Sequence, residues 1–100
     1  MENKRQLLIH APTAGALERA RRNAVNMQKA MPEVGIEIVV NAGAVAAALA
    51  QPDPADRWLV ICGNTLKATG LQAPEGLQVV DAAVAHIARR QWEGWAYMRA

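Results

Sequence analysis

The only cysteine in the chain, Cys62, directly follows the apolar run 58–61 and directly precedes Gly63. A strand that ends here and leads into a helix would place the thiol at the helix N-terminus. The free N–H groups and the dipole of a helix N-terminus stabilise a thiolate and lower its pKa. Such a thiolate could carry a persulfide or attack an electrophilic sulfur atom. The alternative is a buried, unreactive thiol, because free cysteine is among the most buried residue types.

Polar residues also follow the other apolar runs. His10 ends the first run, Asn41 follows the second and Asp81 follows the fourth. In an open parallel sheet, ligands bind outside the carboxyl ends of the strands. We therefore expect His10 and Asn41 to line a pocket with Cys62. His10 either acts there as an acid or base or is a satisfied polar residue without chemistry.

The segment Gly63-Asn64-Thr65 after the cysteine has two interpretations. As a helix N-terminus, it would stabilise negative charge on the sulfur, with Asn64 donating a hydrogen bond. Asn64 and Thr65 could instead serve as caps of their own helix. Both interpretations make Gly63, Asn64 and Thr65 candidate binding residues.

Several well-known site motifs are absent from the sequence. It has no Gly-rich dinucleotide fingerprint and no phosphate-loop lysine motif. It has no His/Cys cluster with metal spacing, and without any serine it cannot form a serine nucleophile elbow. We therefore expect neither a cofactor nor a metal ion.

Strand-like and helix-like segments alternate along the chain. Strands are predicted at 7–9, 36–40, 58–61, 77–80 and 95–98, and helices at 14–31, 44–50, 63–70 and 82–91. Asp81 is expected to cap the last helix, and His86 within it is expected at the surface or in an interface. Alternation with short connections predicts parallel strands joined by right-handed crossovers, in a three-layer α/β/α sandwich with flavodoxin-like layering.

Length and charge restrict the classes of protein and partner. One hundred residues predict one domain, over 1–100. A net charge of +2 is too close to balance to indicate nucleic-acid binding, so no direct binding to nucleic acid is expected. The first apolar run is too short for a signal sequence or a membrane span. With a lone thiol, this predicts a cytoplasmic location and no membrane contact.

Aromatic residues are concentrated near the C-terminus, where Trp92, Trp95 and Tyr97 lie within six positions. They could pack in the core or form a lid over a helix end. They could equally form a subunit interface, where aromatic residues are enriched. A chain of this length would have difficulty burying all three as a monomer.

Two segments resemble the small DsrE/DsrF-like proteins. These are Cys62-Gly63-Asn64-Thr65-Leu66-Lys67 and Gln91-Trp92-Glu93-Gly94-Trp95-Ala96-Tyr97. His10, the asparagines of the first helix and the strand from Gly35 to Val39 are also similar, so the resemblance covers nearly the whole chain. Gly70 stands eight positions after Cys62, an offset seen in the sulfur-relay members of the family.

The resemblance implies a mainly parallel five-stranded α/β sandwich that assembles as a homotrimer or homohexamer. It also implies a sulfur relay, in which Cys62 carries a persulfide and exchanges sulfur with a donor or acceptor protein. The expected function is therefore that of an intracellular sulfur carrier or sulfurtransferase. Two other hypotheses remain: a non-catalytic small-ligand-binding module, and an assembly protein that binds its partner through the aromatic C-terminus.

Overall fold

The computed structural model describes residues 4–100, which form a parallel five-stranded sheet with helices on both faces. The elements are β1 (Gln6–Ala11), α1 (Ala14–Ala30), β2 (Gly35–Val40), α2 (Gly43–Ala50), β3 (Leu59–Cys62), α3 (Gly63–Thr69), β4 (Gln78–Val80), α4 (Ala83–Trp92) and β5 (Ala96–Arg99). A 3-10 turn at Pro54–Trp58 precedes β3. This confirms the predicted α/β class and the parallel sheet.

The strand order is β4-β3-β2-β1-β5, and every neighbouring pair is parallel. The first four strands are added in one direction, and the chain then crosses back so that β5 pairs with β1. Because crossovers are right-handed, this reversal places α4 on the sheet face opposite α1 and α2. The observed packing agrees: Leu17 of α1 packs with Ile9, whereas Ala83 of α4 packs with Leu8. The result is the predicted three-layer arrangement.

Helix α1 forms where its apolar stripe predicts it. Thr13 caps the helix, and its hydroxyl accepts a hydrogen bond from the N–H of Ala16 at 3.0 Å. Leu17, Ala20 and Ala24 are buried against the sheet. Small alanine side chains let the helix backbone approach the sheet closely, and the burial of this stripe stabilises the helix.

Helix α4 is held to the sheet by a partly buried carboxylate. Glu37 of β2 accepts hydrogen bonds from His86 at 2.7 Å and from Arg90 at 3.0 Å. Hydrogen bonding to Glu37 raises the pKa of Arg90 above its ordinary value. The prediction that His86 lies at the surface is wrong, because only 6% of this residue is exposed. It occupies an inward position of α4, where the carboxylate replaces the hydrogen bonds that water would make.

The expectation that Asp81 caps the last helix is also wrong. Helix α4 begins at Ala83, its N-cap is Ala82, and no side chain of residues 4–100 caps it. Asp81 instead uses its backbone carbonyl, which accepts a hydrogen bond from the N–H of Asn64 at 3.0 Å. The connection between β4 and α4 and the start of α3 therefore lie side by side.

The C-terminal aromatic residues are divided between core and surface. Trp95 is half-buried beside Leu8 and Ala83, and Arg90 lies over its ring at 4.7 Å. Trp92 is 82% exposed, and Tyr97 is 40% exposed. Core packing therefore accounts for Trp95 alone. Within residues 4–100, no helix is both long enough and apolar enough to cross a membrane.

Candidate active site at the carboxyl end of the sheet

Cys62 is the last residue of β3 and the N-cap of α3, as the sequence predicts. Its thiol is free, and only 6% of the residue is exposed. The side chain lies on the face that α4 covers, beside Val39, Val60 and Ala83. The thiol is thus at the rim of the core, under the first turn of α4.

Hydrogen-bond donors from two helices converge on the Cys62 sulfur. The N–H of Ala83, the first residue of α4, points at Sγ from 3.3 Å. Burial raises the pKa of the Cys62 thiol and is the largest single influence on it. The N–H groups of Ala83, Thr65 and Asn64, with the Thr65 hydroxyl, outweigh burial and hold the pKa below its ordinary value. The site favours a thiolate, because the N-termini of α3 and α4 both present partial positive charge.

Gly63 makes this convergence possible through a close backbone contact. A Cβ atom at this position would lie 2.7 Å from the carbonyl oxygen of Val80 and 3.2 Å from that of Asp81. A side chain would therefore push the connection between β4 and α4 away from α3. Glycine keeps that connection close, and Ala83 can then reach the sulfur.

Thr65 and Asn64 have roles that differ from helix capping. No side chain within the described residues caps α3. The Thr65 hydroxyl accepts a hydrogen bond from the N–H of Ala42 at 3.1 Å, which ties the turn after β2 to α3. The Asn64 side chain is exposed to solvent. It is therefore free to meet a ligand approaching the sheet edge.

His10 lies at the same edge but does not contact the sulfur. Its Nδ1 is 2.8 Å from the Tyr97 hydroxyl, and its Nε2 is 3.0 Å from Asn41 Oδ1. The Nε2–H can donate to Asn41 Oδ1, and Nδ1 can accept from the Tyr97 hydroxyl. His10 thus orients the two residues beside it, and no hydrogen bond joins it to Cys62.

Tyr97 belongs to this cluster, although its position along the chain groups it with the C-terminal tryptophans. Sequence analysis does not predict its contact with His10. The pairing of β5 with β1 places Tyr97 opposite Leu8, on the face that also carries His10. Side chains in 96–99 alternate between the two faces of the sheet, as in any strand. This alternation identifies the neighbours of Tyr97 only once the strand that pairs with β5 is known.

A groove of about 430 Å³ lies between this cluster and α4. Its lining residues are His10, Asn41, Val84, Ile87, Gln91 and Tyr97. It sits at the β1–β5 boundary, where the order of strand addition reverses, which is where open α/β sheets bind ligands. Among residues 4–100, no group of three or more His, Cys, Asp or Glu side chains is placed to hold a metal ion.

Comparison with known proteins supplies no family for this chain. No protein-family model matches it, and no curated protein is similar enough to count as a relative.

We expect Gly63→Ala to lower the free energy of unfolding by about 1–3 kcal/mol, because the added Cβ overpacks a rigid backbone contact. It should also move the pH profile of Cys62 alkylation to higher pH, since Ala83 is displaced from the sulfur. Urea unfolding and alkylation followed by mass spectrometry measure the two effects.

The matched control for Gly63→Ala is Gly15→Ala, where the added Cβ meets only the end of the Arg19 side chain at 3.7 Å. This variant should keep the wild-type alkylation profile. If Gly63→Ala unfolds at the same urea concentration as the wild-type protein, the close backbone contact at Gly63 is contradicted.

We expect Thr65→Val to slow alkylation of Cys62 at pH 7 by about five-fold, because a hydrogen bond worth about 1 kcal/mol to the thiolate is lost. The pH profile should shift to higher pH. Thr69→Val is the control, since the Thr69 hydroxyl donates to the Thr65 carbonyl at 2.7 Å within α3. Equal profiles for the two variants would show that the Thr65 hydroxyl does not act on the sulfur.

Proposed function

We propose that this protein is a sulfur carrier of the DsrE/DsrF-like type, with Cys62 as the residue that holds the sulfur. The observation that supports this most directly is the convergence of N–H groups from α3 and α4 on a single buried thiol. Three backbone groups and one hydroxyl stabilise a negative charge there. The resemblance of the two motif segments to that family is the second support.

The proposed chemistry is a transfer of sulfane sulfur between thiols. The Cys62 thiolate attacks the outer sulfur of a protonated persulfide, R–S–S–H, and a new S–S bond forms. The old S–S bond breaks, and R–S⁻ leaves with its electron pair and takes a proton from water. The sulfane sulfur changes partners without net oxidation or reduction. Cys62 then carries –S–S–H, whose anion is stabilised by the same N–H groups.

The location and partners of this carrier follow from its chemistry. A thiol that must stay reduced between transfers requires a reducing compartment, so we place the protein in the cytoplasm. A donor must load Cys62 and an acceptor must unload it, and either can be a protein.

Exposure of the native protein to inorganic polysulfide should add the mass of one sulfur atom to the peptide that contains Cys62. The adduct should disappear on treatment with dithiothreitol, because a persulfide is reducible. Cys62→Ser should remain unmodified under the same conditions. Intact-protein and peptide mass spectrometry measure all three results.

A thiol that reacts only in urea would rule out sulfur carriage and leave Cys62 as a core residue. Ligand binding that survives in Cys62→Ser would then favour the small-ligand-binding hypothesis.

We infer in addition that the protein is a homo-oligomer that associates through α4. The resemblance implies a trimer or hexamer, and that number of subunits remains a prediction. On the surface of this helix, Val84 is 78% exposed and Trp92 is 82% exposed. They stand eight residues apart with Ala88 between them, which forms one ridge of the helix. Exposed tryptophan is rare on monomers and enriched at interface centres.

Trp92→Ala and Val84→Asp should each weaken self-association by roughly thirty-fold or more, as the loss of a central anchor costs about 2 kcal/mol. Size-exclusion chromatography with light scattering measures the mass. Val25→Asp is the matched control, because Val25 is an exposed valine on α1. A wild-type protein that stays monomeric, or variants that keep the wild-type mass, would overturn this inference.

A further inference from the structure

The groove lined by His10, Asn41 and Tyr97 adjoins the thiol. Val40 of β2 pairs with Ile61 of β3, so the residues that follow them, Asn41 and Cys62, lie side by side. His10 is in register with Val39 and, through it, with Val60, so two strands and two residues along β3 separate it from Cys62. With about 4.8 Å between strands and about 3.3 Å per residue, the backbone distance is about 12 Å. Val84 lines the groove, and its neighbour Ala83 donates to the sulfur. A molecule in the groove would therefore touch the wall that covers Cys62.

The groove lining contains no Asp, Glu, Lys or Arg side chain and is divided into two sides. One side is the hydrogen-bonded set Tyr97–His10–Asn41, and the other is the apolar wall of Val84 and Ile87. His10 uses both ring nitrogens on its neighbours, and Asn41 Oδ1 accepts from it. The groups that remain for a ligand are the Asn41 amide N–H groups, the Gln91 amide, the Tyr97 oxygen lone pair and the half-exposed Tyr97 ring.

The arginine beside His10 in the sheet is directed elsewhere. Arg99 is the register partner of His10, but its Nη1 donates to the carbonyl oxygen of Ala100 at 3.3 Å. Arg99 does not belong to the groove lining. An anionic ligand would therefore lose water in this groove without gaining a fixed opposite charge, which is unfavourable. An apolar or aromatic ligand would instead bury surface against Val84, Ile87 and the Tyr97 ring.

Resting on the proposed persulfide function, we propose that the groove binds the sulfur donor, and that this donor is a low-molecular-weight organic persulfide with an uncharged apolar or aromatic body. The body lies between Tyr97 and Ile87, and the R–S–S–H end points towards Cys62. The transfer is the balanced step given above. The Cys62 thiolate takes the outer sulfur, and the R–S⁻ group remains in the groove, is protonated by water and dissociates.

The test compares two donors of opposite character. Benzyl persulfide has an uncharged aromatic body, and the body of glutathione persulfide carries two carboxylates. The rate of persulfide formation on Cys62 is measured against donor concentration. With benzyl persulfide the rate should saturate, and Asn41→Ala and Tyr97→Phe should each raise the half-saturating concentration at least five-fold. Asn26→Ala, an exposed asparagine on α1, is the matched control and should leave that concentration unchanged.

A separate binding measurement distinguishes failure of the groove from failure of the thiol. Benzyl methyl sulfide, which cannot transfer sulfur, is titrated into Cys62→Ser, and NMR shift changes should be largest at Val84, Ile87 and Tyr97. Rates that rise linearly for both donors and are equal in all variants would overturn the groove proposal while leaving sulfur carriage intact. If the rate saturates with glutathione persulfide but not with benzyl persulfide, the assignment of a donor with an uncharged body is wrong. A Cys62 inert to both donors would overturn the proposed function and the donor assignment with it, even if the sulfide binds.

Discussion

Every strand of this sheet is parallel to its neighbours, and much of the structure depends on that constraint. Parallel strands cannot be joined by tight turns, so each of the first four strands leads into a helix or loop that crosses a face of the sheet. The carboxyl ends of the strands therefore gather at one edge, together with the N-termini of the helices that follow. His10, Asn41 and Cys62 lie at this edge because they end consecutive strands. The positive ends of the helix dipoles are brought to the same place by the same connections.

The reversal of strand order after β4 determines which of these residues are accessible. Two helices, α1 and α2, pack on one face and bury a large cluster of aliphatic side chains. A single helix, α4, packs on the other face, where the buried cluster is smaller. One helix does not span five strands, so the β1–β5 side of that face remains open as the groove. The open groove and the thiol under α4 are thus two results of the same topology.

Polar contacts help to fix the position of α4. Glu37 is a carboxylate within an otherwise apolar strand, and it is satisfied by His86 and Arg90 of α4. The carboxylate is partly buried, so removing either partner leaves it without one of its hydrogen bonds, which is destabilising. These bonds set the rotation of α4 on the sheet and bring the N–H of Ala83 to Sγ. The close contact at Gly63 fixes the same end of the helix from the side of α3. The electrostatics at the sulfur therefore depend on residues that never touch it.

The class of the fold and the position of the thiol follow from the order of the residues alone. Alternating aliphatic and helical segments permit few arrangements other than a parallel sheet, and Cys62 lies at a strand end in all of them. Local patterns could not show the partner of β5, since its pairing with β1 spans the whole chain. They could not reveal that Tyr97 bonds to His10 or that His86 turns inward to bond to Glu37. Nor could they show that Asp81 accepts a hydrogen bond through its backbone carbonyl and does not cap α4. Those outcomes were decided by the tertiary structure, because each depends on residues that are 17 to 87 positions apart meeting across a sheet face. Spacing along the chain carries no information about such a contact until the order of the strands is known.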